Sequence, residues 1–273
     1  MNDRVRVTIT GGVADVQLVR ADKMNALDGA MFQALINTGE RLKTEPGVRA
    51  IVLSGEGRAF CAGLDSSNFG DMAGGRREPG SSSAGGSLVG GGRTPGGANR
   101  AQHAVMVWRE APVPVIAAIH GPAFGGGFQL ALGADLRFVR PDAELSVMEM
   151  KWGLVPDMGG IVLLRRLVRD DIARDLTFSA RRFSGVEALQ LGLATRVCED
   201  PRAEALAYAA DIAAKSPHAI RAAKRLLNLD LAADQRAILE AESEEQVALI
   251  GSPNQVEAVR ANLERRAPSF VDV

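Results

Sequence analysis

The sequence predicts an α/β layered core, and three observations carry that expectation. Short apolar runs with strand character alternate with helix-like stretches at close spacing. The N-terminal segment reads as a hairpin. A glycine-rich stretch, GPAFGGGFQLALGAD at 121–135, leads straight from a strand into an apolar helix.

The elements follow in order. Arg4 to Thr10 alternates polar and apolar residues, as a half-buried strand does. Gly11-Gly12 makes a turn, and Ala14 to Val19 is the return strand. Asp28 can cap a helix with Met31, Leu35 and Leu42 on one face, ending near Pro46-Gly47. Ala50 to Leu53 is a short apolar strand, followed by SGEGRAFCAGLD. Val115 to Ile119 is another, bounded by prolines, and Leu136 to Val139 a third. Beyond Arg169 the pattern becomes helical. Ser216-Pro217 suits a helix start, with serine as cap and proline in the first turn, and Ile220, Ala223, Leu227 and Leu231 follow at helical spacing. Asp234 to Ile250 and Asn254 to Arg266 read as two more helices, and Glu240, Glu242, Glu244 and Glu245 as a solvated face.

The segment from Ser66 to about Asn99 is dense in glycine, serine and proline and cannot bury enough apolar surface to offset its ordering entropy. It reads as a flexible loop between two halves of one domain, either an insertion without a role or a substrate lid. Its Arg76, Arg77 and Arg93 could meet phosphates.

Composition excludes several classes. The formal charge is −1 over 273 residues, which gives no electrostatic case for nucleic acid or an acidic membrane. No run approaches the about 18 apolar residues of a membrane span, and MNDRVRVTIT has no signal-peptide core. Cys61 and Cys198, the two cysteines, read as free thiols in a reducing, cytoplasmic setting. His103, His120 and His218 show no metal spacing. Trp108 and Trp152 read as core or pocket wall.

Glycines before an apolar helix admit two readings. They let helix and strand pack closely, or they let a substrate oxygen reach unpaired N–H groups at the helix start. Four stretches bear on the choice: ADKMNALD at 21–28, FCAGLD at 60–65, GPAFGGGFQLALGAD, and MEMKWGLVPDMGG at 148–160. Taken in order, they resemble the enoyl-CoA hydratase/isomerase family, the crotonase superfamily, over nearly the whole chain. The resemblance implies a crotonase-like core of repeated ββα units with a C-terminal helical trimerisation layer. The core would span residues 1–200, including the 66–99 loop, and the helical region 201–273. It implies an acyl-CoA thioester as ligand, a homotrimer or dimer of trimers, and no cofactor, CoA being part of the substrate.

By motif position the oxyanion N–H groups would be those of Leu64 and Gly126. Lys23, Ala26, Ala62, Gly63 and Asp65 would border the CoA moiety, although an exposed lysine such as Lys23 is often only solvated. Hydratases of the family hold a water between two glutamates. Here the first position is Gln129, whose amide cannot exchange a proton as a carboxylate does, while the second is Glu149. Asp157 stands eight residues on, where dienoyl-CoA isomerases of the family carry an aspartate. Glu149 and Asp157 are thus the candidate acid and base, and Gln129 would orient the substrate or a neighbouring carboxylate. Glu149 could instead pair with an arginine, and Asp157 could simply cap a helix. A family dehalogenase uses an aspartate at the Asp157 position with a histidine, but it lacks the glutamate. Double-bond isomerisation is the leading expectation. Hydration is the nearest alternative, and a non-catalytic acyl-CoA- or RNA-binding protein is a further one.

Overall fold

The computed structural model describes residues 4–65, 88, 92–229, 248 and 252–272. The chain opens with the expected hairpin, β1 (Val5–Thr10) and β2 (Val13–Leu18), paired antiparallel with Val5 opposite Leu18. The turn needs positive φ at both central positions, and Gly11 and Gly12 supply +57° and +81°. Asp28 then accepts a hydrogen bond from the Met31 N–H at 2.7 Å and caps α1 (Gly29–Thr44), which buries Met31, Leu35 and Leu42.

β3 (Ala50–Gly55) is buried at every position because it runs parallel between neighbours with both faces covered. With β4 (Val115–Ile119), β6 (Leu136–Val139) and β9 (Arg196–Val197) it completes a six-stranded sheet in the order β1-β2-β3-β4-β6-β9. From β2 onward all neighbours are parallel. A second sheet, β5-β7-β8, holds β5 (Pro122–Phe124), β7 (Glu144–Ser146) and β8 (Phe183–Ser184).

The chain passes from one sheet to the other and then into a helix. β4 reaches β5 through Gly121, at φ +54°, where a Cβ would sit 2.1 Å from the Arg58 carbonyl oxygen. α3 (Gly126–Leu132) follows directly, so β4–β5–α3 is one ββα unit. Parallel bridges Cys61↔Ala123 and Leu27↔Leu64 draw the CAGL segment into the second layer. The other helices are α2 (Arg100–Arg109), α4 (Gly160–Leu164), α5 (Asp170–Ser179), α6 (Gly185–Gln190), α7 (Pro201–Ala213), α8 (Pro217–Leu227) and α9 (Pro253–Glu264).

The main core lies between the sheets and α1, α2 and α3, around Met31, Leu35, Leu53, Phe60, Trp108 and Phe128. A second cluster joins the opposite sheet face, through Val52, Ile116 and Phe138, to Ala205, Ala209 and Ala213 of α7. Both cysteines are free. Burial pushes the Cys61 thiol up to about 12, which makes it a core group and not a nucleophile.

One reading needs correction. Ser216 stands at the start of α8, but its hydroxyl makes no capping bond. On α8 Ala223 is exposed and Leu227 is 78% exposed, while Lys224 is buried. The ammonium has specific acceptors, the Val113 carbonyl oxygen at 2.8 Å and Asp135 Oδ2 at 2.7 Å, and that offsets its desolvation. Residues 66–87 and 89–91, with Arg76 and Arg77, and the helix expected at 234–250, apart from residue 248, lie outside the described residues.

Candidate active site

The site forms where the second sheet meets the start of α3. Leu27 takes the Gly63 carbonyl at 2.7 Å through its N–H and gives its own carbonyl to the Asp65 N–H at 3.1 Å. Alternate N–H groups of an extended segment point to opposite sides, so the Leu64 N–H faces away from residue 27. Gly63 adopts φ +86°, and a Cβ there would lie 2.5 Å from the Phe124 carbonyl oxygen and 3.6 Å from the Gly126 nitrogen. This close approach brings the backbone of 63–64 beside the first N–H of α3. Among the described residues neither the Leu64 nor the Gly126 N–H meets a protein acceptor. The predicted oxyanion pair is therefore brought together.

The three glycines have three different reasons. A Cβ on Gly125 would come within 3.2 Å of Glu149 Oε1; one on Gly126 would strike Met158 Sδ at 2.7 Å and Leu27 Cδ1 at 2.8 Å. On Gly127 it would fall 2.1 Å from the Cys61 carbonyl oxygen. The first two open the site, and the third is the close packing that was the alternative explanation.

Glu149 opens a 3-10 turn, Glu149–Trp152, that ends on Gly153 at φ +67°. It is 8% exposed, and Gln129 is 2% exposed. Gln129 Nε2 donates to Glu149 Oε1 at 2.7 Å, while Gln129 Oε1 accepts from the Met158 and Gly160 N–H groups at 2.9 and 3.0 Å. Glu149 Oε2 is buried and has no hydrogen-bond partner among the described residues. No arginine pairs with Glu149 there, so the simple ion-pair reading fails.

Burial is the largest influence on the Glu149 carboxyl and raises its pKa. A backbone hydrogen bond and the Gln129 amide oppose this, the charge of Asp157 adds to it, and the net is a rise. Asp157 is exposed by surface area, yet the protein around it removes enough water to raise its carboxyl too. It does not cap α4, whose N-terminal position is Gly159 at φ +87° without a side-chain cap.

The other expected contacts divide. Ala26 is buried and Ala62 half-buried, and the Ala62 N–H donates to the Met24 carbonyl at 2.9 Å, which seats the 21–28 turn against CAGL. Lys23 is exposed on that turn. Asp65 is engaged by Arg20 in an ion pair. Arg20 also donates to the Ala26 carbonyl oxygen at 3.0 Å and lies 3.6 Å from Asp28. Arg20 was not singled out in the sequence, where a charged residue ahead of a turn looks like any surface arginine. Asn25, fully buried at φ +56°, donates to the Glu56 and Ala59 carbonyls at 3.0 and 2.9 Å and pins the turn from below.

Elsewhere, Glu40, His103 and Glu110 form a cluster of metal-ligating type between α1 and the end of α2. Lys43 Nζ donates to both glutamates at 2.8 Å, so an ammonium already occupies the space between them. His103 thus belongs to this surface cluster. Among the described residues no helix is long and apolar enough to cross a membrane.

Comparison with known proteins gives consistent results. Residues 13–271 match the family model described as enoyl-CoA hydratase/isomerase. The Δ(3,5)-Δ(2,4)-dienoyl-CoA isomerase of Mus musculus mitochondria is 32% identical over 260 residues, 93% of this chain and 77% of that protein. A protein named probable enoyl-CoA hydratase echA6, from Mycobacterium tuberculosis, is 34% identical over 266 residues, 97% and 98% of the two chains. Among solved structures, an enoyl-CoA hydratase from Bacillus anthracis superposes with a TM-score of 0.85 at 26% identity, covering 98% of each chain. DspI of Pseudomonas aeruginosa gives 0.83 at 30% identity, covering 97% and 96%.

Proposed function

The chain belongs to the enoyl-CoA hydratase/isomerase family, and from that premise we propose that it is an acyl-CoA isomerase moving a double bond in an enoyl- or dienoyl-CoA. The thioester oxygen lies between the Leu64 and Gly126 N–H groups. Glu149 takes a proton from the carbon beside the thioester, and the electron pair spreads onto the held oxygen as an enolate. A proton is returned at the far end of the conjugated system by Glu149 or Asp157, and the double bond has moved. A carboxyl with a raised pKa suits this exchange, because a base of higher pKa binds a carbon-bound proton more readily.

The observation that carries the reading is the partner of Glu149. Gln129 presents an amide to it at 2.7 Å, where a water-activating pair would need a second carboxylate. The relative named as a hydratase favours a second reading, addition of water to a 2-enoyl-CoA. Both readings take an acyl-CoA thioester in a cytoplasmic enzyme without metal or redox cofactor, nucleic acid or membrane. We assign it to a homotrimer or dimer of trimers, which would cover the exposed Leu227 and Phe178.

Glu149→Gln and Asp157→Asn test the roles. Each is expected to lower kcat by about 10²-fold or more, the usual range for a positioned acid or base. Full turnover in both variants would remove these two carboxylates from the mechanism.

A further inference from the structure

We propose that Gln129 is a positioning residue that confines proton transfer to one oxygen of Glu149, Oε2, and fixes the stance of Asp157 through the same side chain. The inference rests on Glu149 being the base. Gln129 Oε1 accepts from two backbone N–H groups, those of Met158 and Gly160. Those donors fix which end of the amide is which, so the nitrogen must face Glu149. An amide nitrogen donates and does not accept. Glu149 Oε1, 2.7 Å away, is therefore held as an acceptor and cannot carry a proton along that line.

Oε2 is left, buried and without a partner among the described residues. The substrate C–H bond breaks, its proton binds Oε2, and the electron pair moves to the thioester oxygen. When the new C–H bond forms, the same oxygen can release the proton. At its other end the amide grips the N–H groups of Met158 and Gly160, one and three residues after Asp157. The grip leaves no slack, since a Cβ on Gly160 would sit 2.6 Å from Gln129 Oε1. One side chain thus sets both the aim of Glu149 and the position of Asp157.

Gln129→Glu, which keeps the shape, and Gln129→Ala test this. In Gln129→Glu one carboxylate oxygen still accepts from Met158 and Gly160. The other faces Glu149 Oε1 and can hold it only by sharing a proton, which adjacent like charges retain to higher pH. Gln129→Glu should therefore work at low pH and show an alkaline loss of kcat that the wild type lacks. Gln129→Ala has no donor at any pH, and its kcat should fall about 10²-fold throughout, the size expected of a misaimed group, with KM little changed.

Equal and pH-independent effects in both variants would overturn the proposal, as would wild-type kcat in Gln129→Ala. Calorimetric titration with a CoA thioester confirms that each variant is folded. Wild-type protein that leaves the double bond of enoyl- and dienoyl-CoA unmoved would sink the isomerase reading itself. Wild-type transfer with unaffected variants would sink only the role of Gln129.

Discussion

A single added β-carbon separates the two jobs that glycine does in this site. In Gly127→Ala the new atom would meet the Cys61 carbonyl oxygen at 2.1 Å, a backbone group that cannot swing aside. The variant should lose about 3 kcal/mol in urea unfolding, the upper part of the usual overpacking range. In Gly63→Ala the left-handed backbone at φ +86° and the 2.5 Å approach to Phe124 both resist, right beside the oxyanion N–H pair. Its kcat should fall about 10²–10³-fold, as loss of an oxyanion donor does. Full turnover in Gly63→Ala would move the oxyanion site elsewhere. Glu149 carries the matching pH prediction. Its folded pKa lies above the unfolded reference of 4.5, so burial costs stability once the pH rises past that value. Glu149→Gln should melt higher than wild type near neutral pH, and the gap should close as the pH falls below the unfolded pKa. An equal gap at all pH values would mean that the charge is not the cause. In the sequence the glycine triplet is one feature. That its members face Glu149, Met158 with Leu27, and Cys61 in turn depends on segments distant in the chain, and no local pattern carries that.

At the scale of elements, α8 shows that a stripe of apolar residues does not by itself say which face is buried. Ile220, Ala223 and Leu227 stand at helical spacing, yet α8 buries Pro217, Ala222 and the charged Lys224 instead. Burial lowers its pKa against the opposing pull of Asp135. Asp135 Oδ2 also accepts from the Val115 N–H at 2.8 Å, so the pair ties α8 to the start of β4. Lys224→Ala should destabilise the fold by about 3 kcal/mol, as breaking a buried pair does. A neutral result in urea unfolding would show that α8 is held by other contacts. β1, β2, β3, β4, β6 and α1 were legible because each is long enough to show alternation, a continuous apolar run or a cap. β5 and β7 have three residues each, too few for any period to appear. α2 opens with a full capping box, Asn99 with Gln102, but it follows a glycine-rich stretch that masks its start.

For the molecule as a whole, the order of the four motifs carried more than any one of them, because it fixed which distant segments meet. Leu64 and Gly126 could be paired in advance that way. Arg20, which joins the 21–28 turn to Asp65, could not, since nothing local marks it. The exposed face of α8 bears on assembly. The wild type should sediment as three or six copies of the 28.8 kDa chain. Leu227→Glu should shift it toward smaller species, and a monomeric wild type would remove the trimer from the account. The central claim is double-bond movement, and a mass-resolved assay tests it most directly. The protein is given 2-enoyl-, 3-enoyl- and 3,5-dienoyl-CoA separately, in ordinary and in deuterated water. The account predicts a product of unchanged mass in ordinary water with its double bond moved, and deuterium uptake wherever the abstracted proton exchanges with solvent. A product heavier by one water, formed from 2-enoyl-CoA at enzymic rates with no isomer, would contradict it and make the enzyme a hydratase.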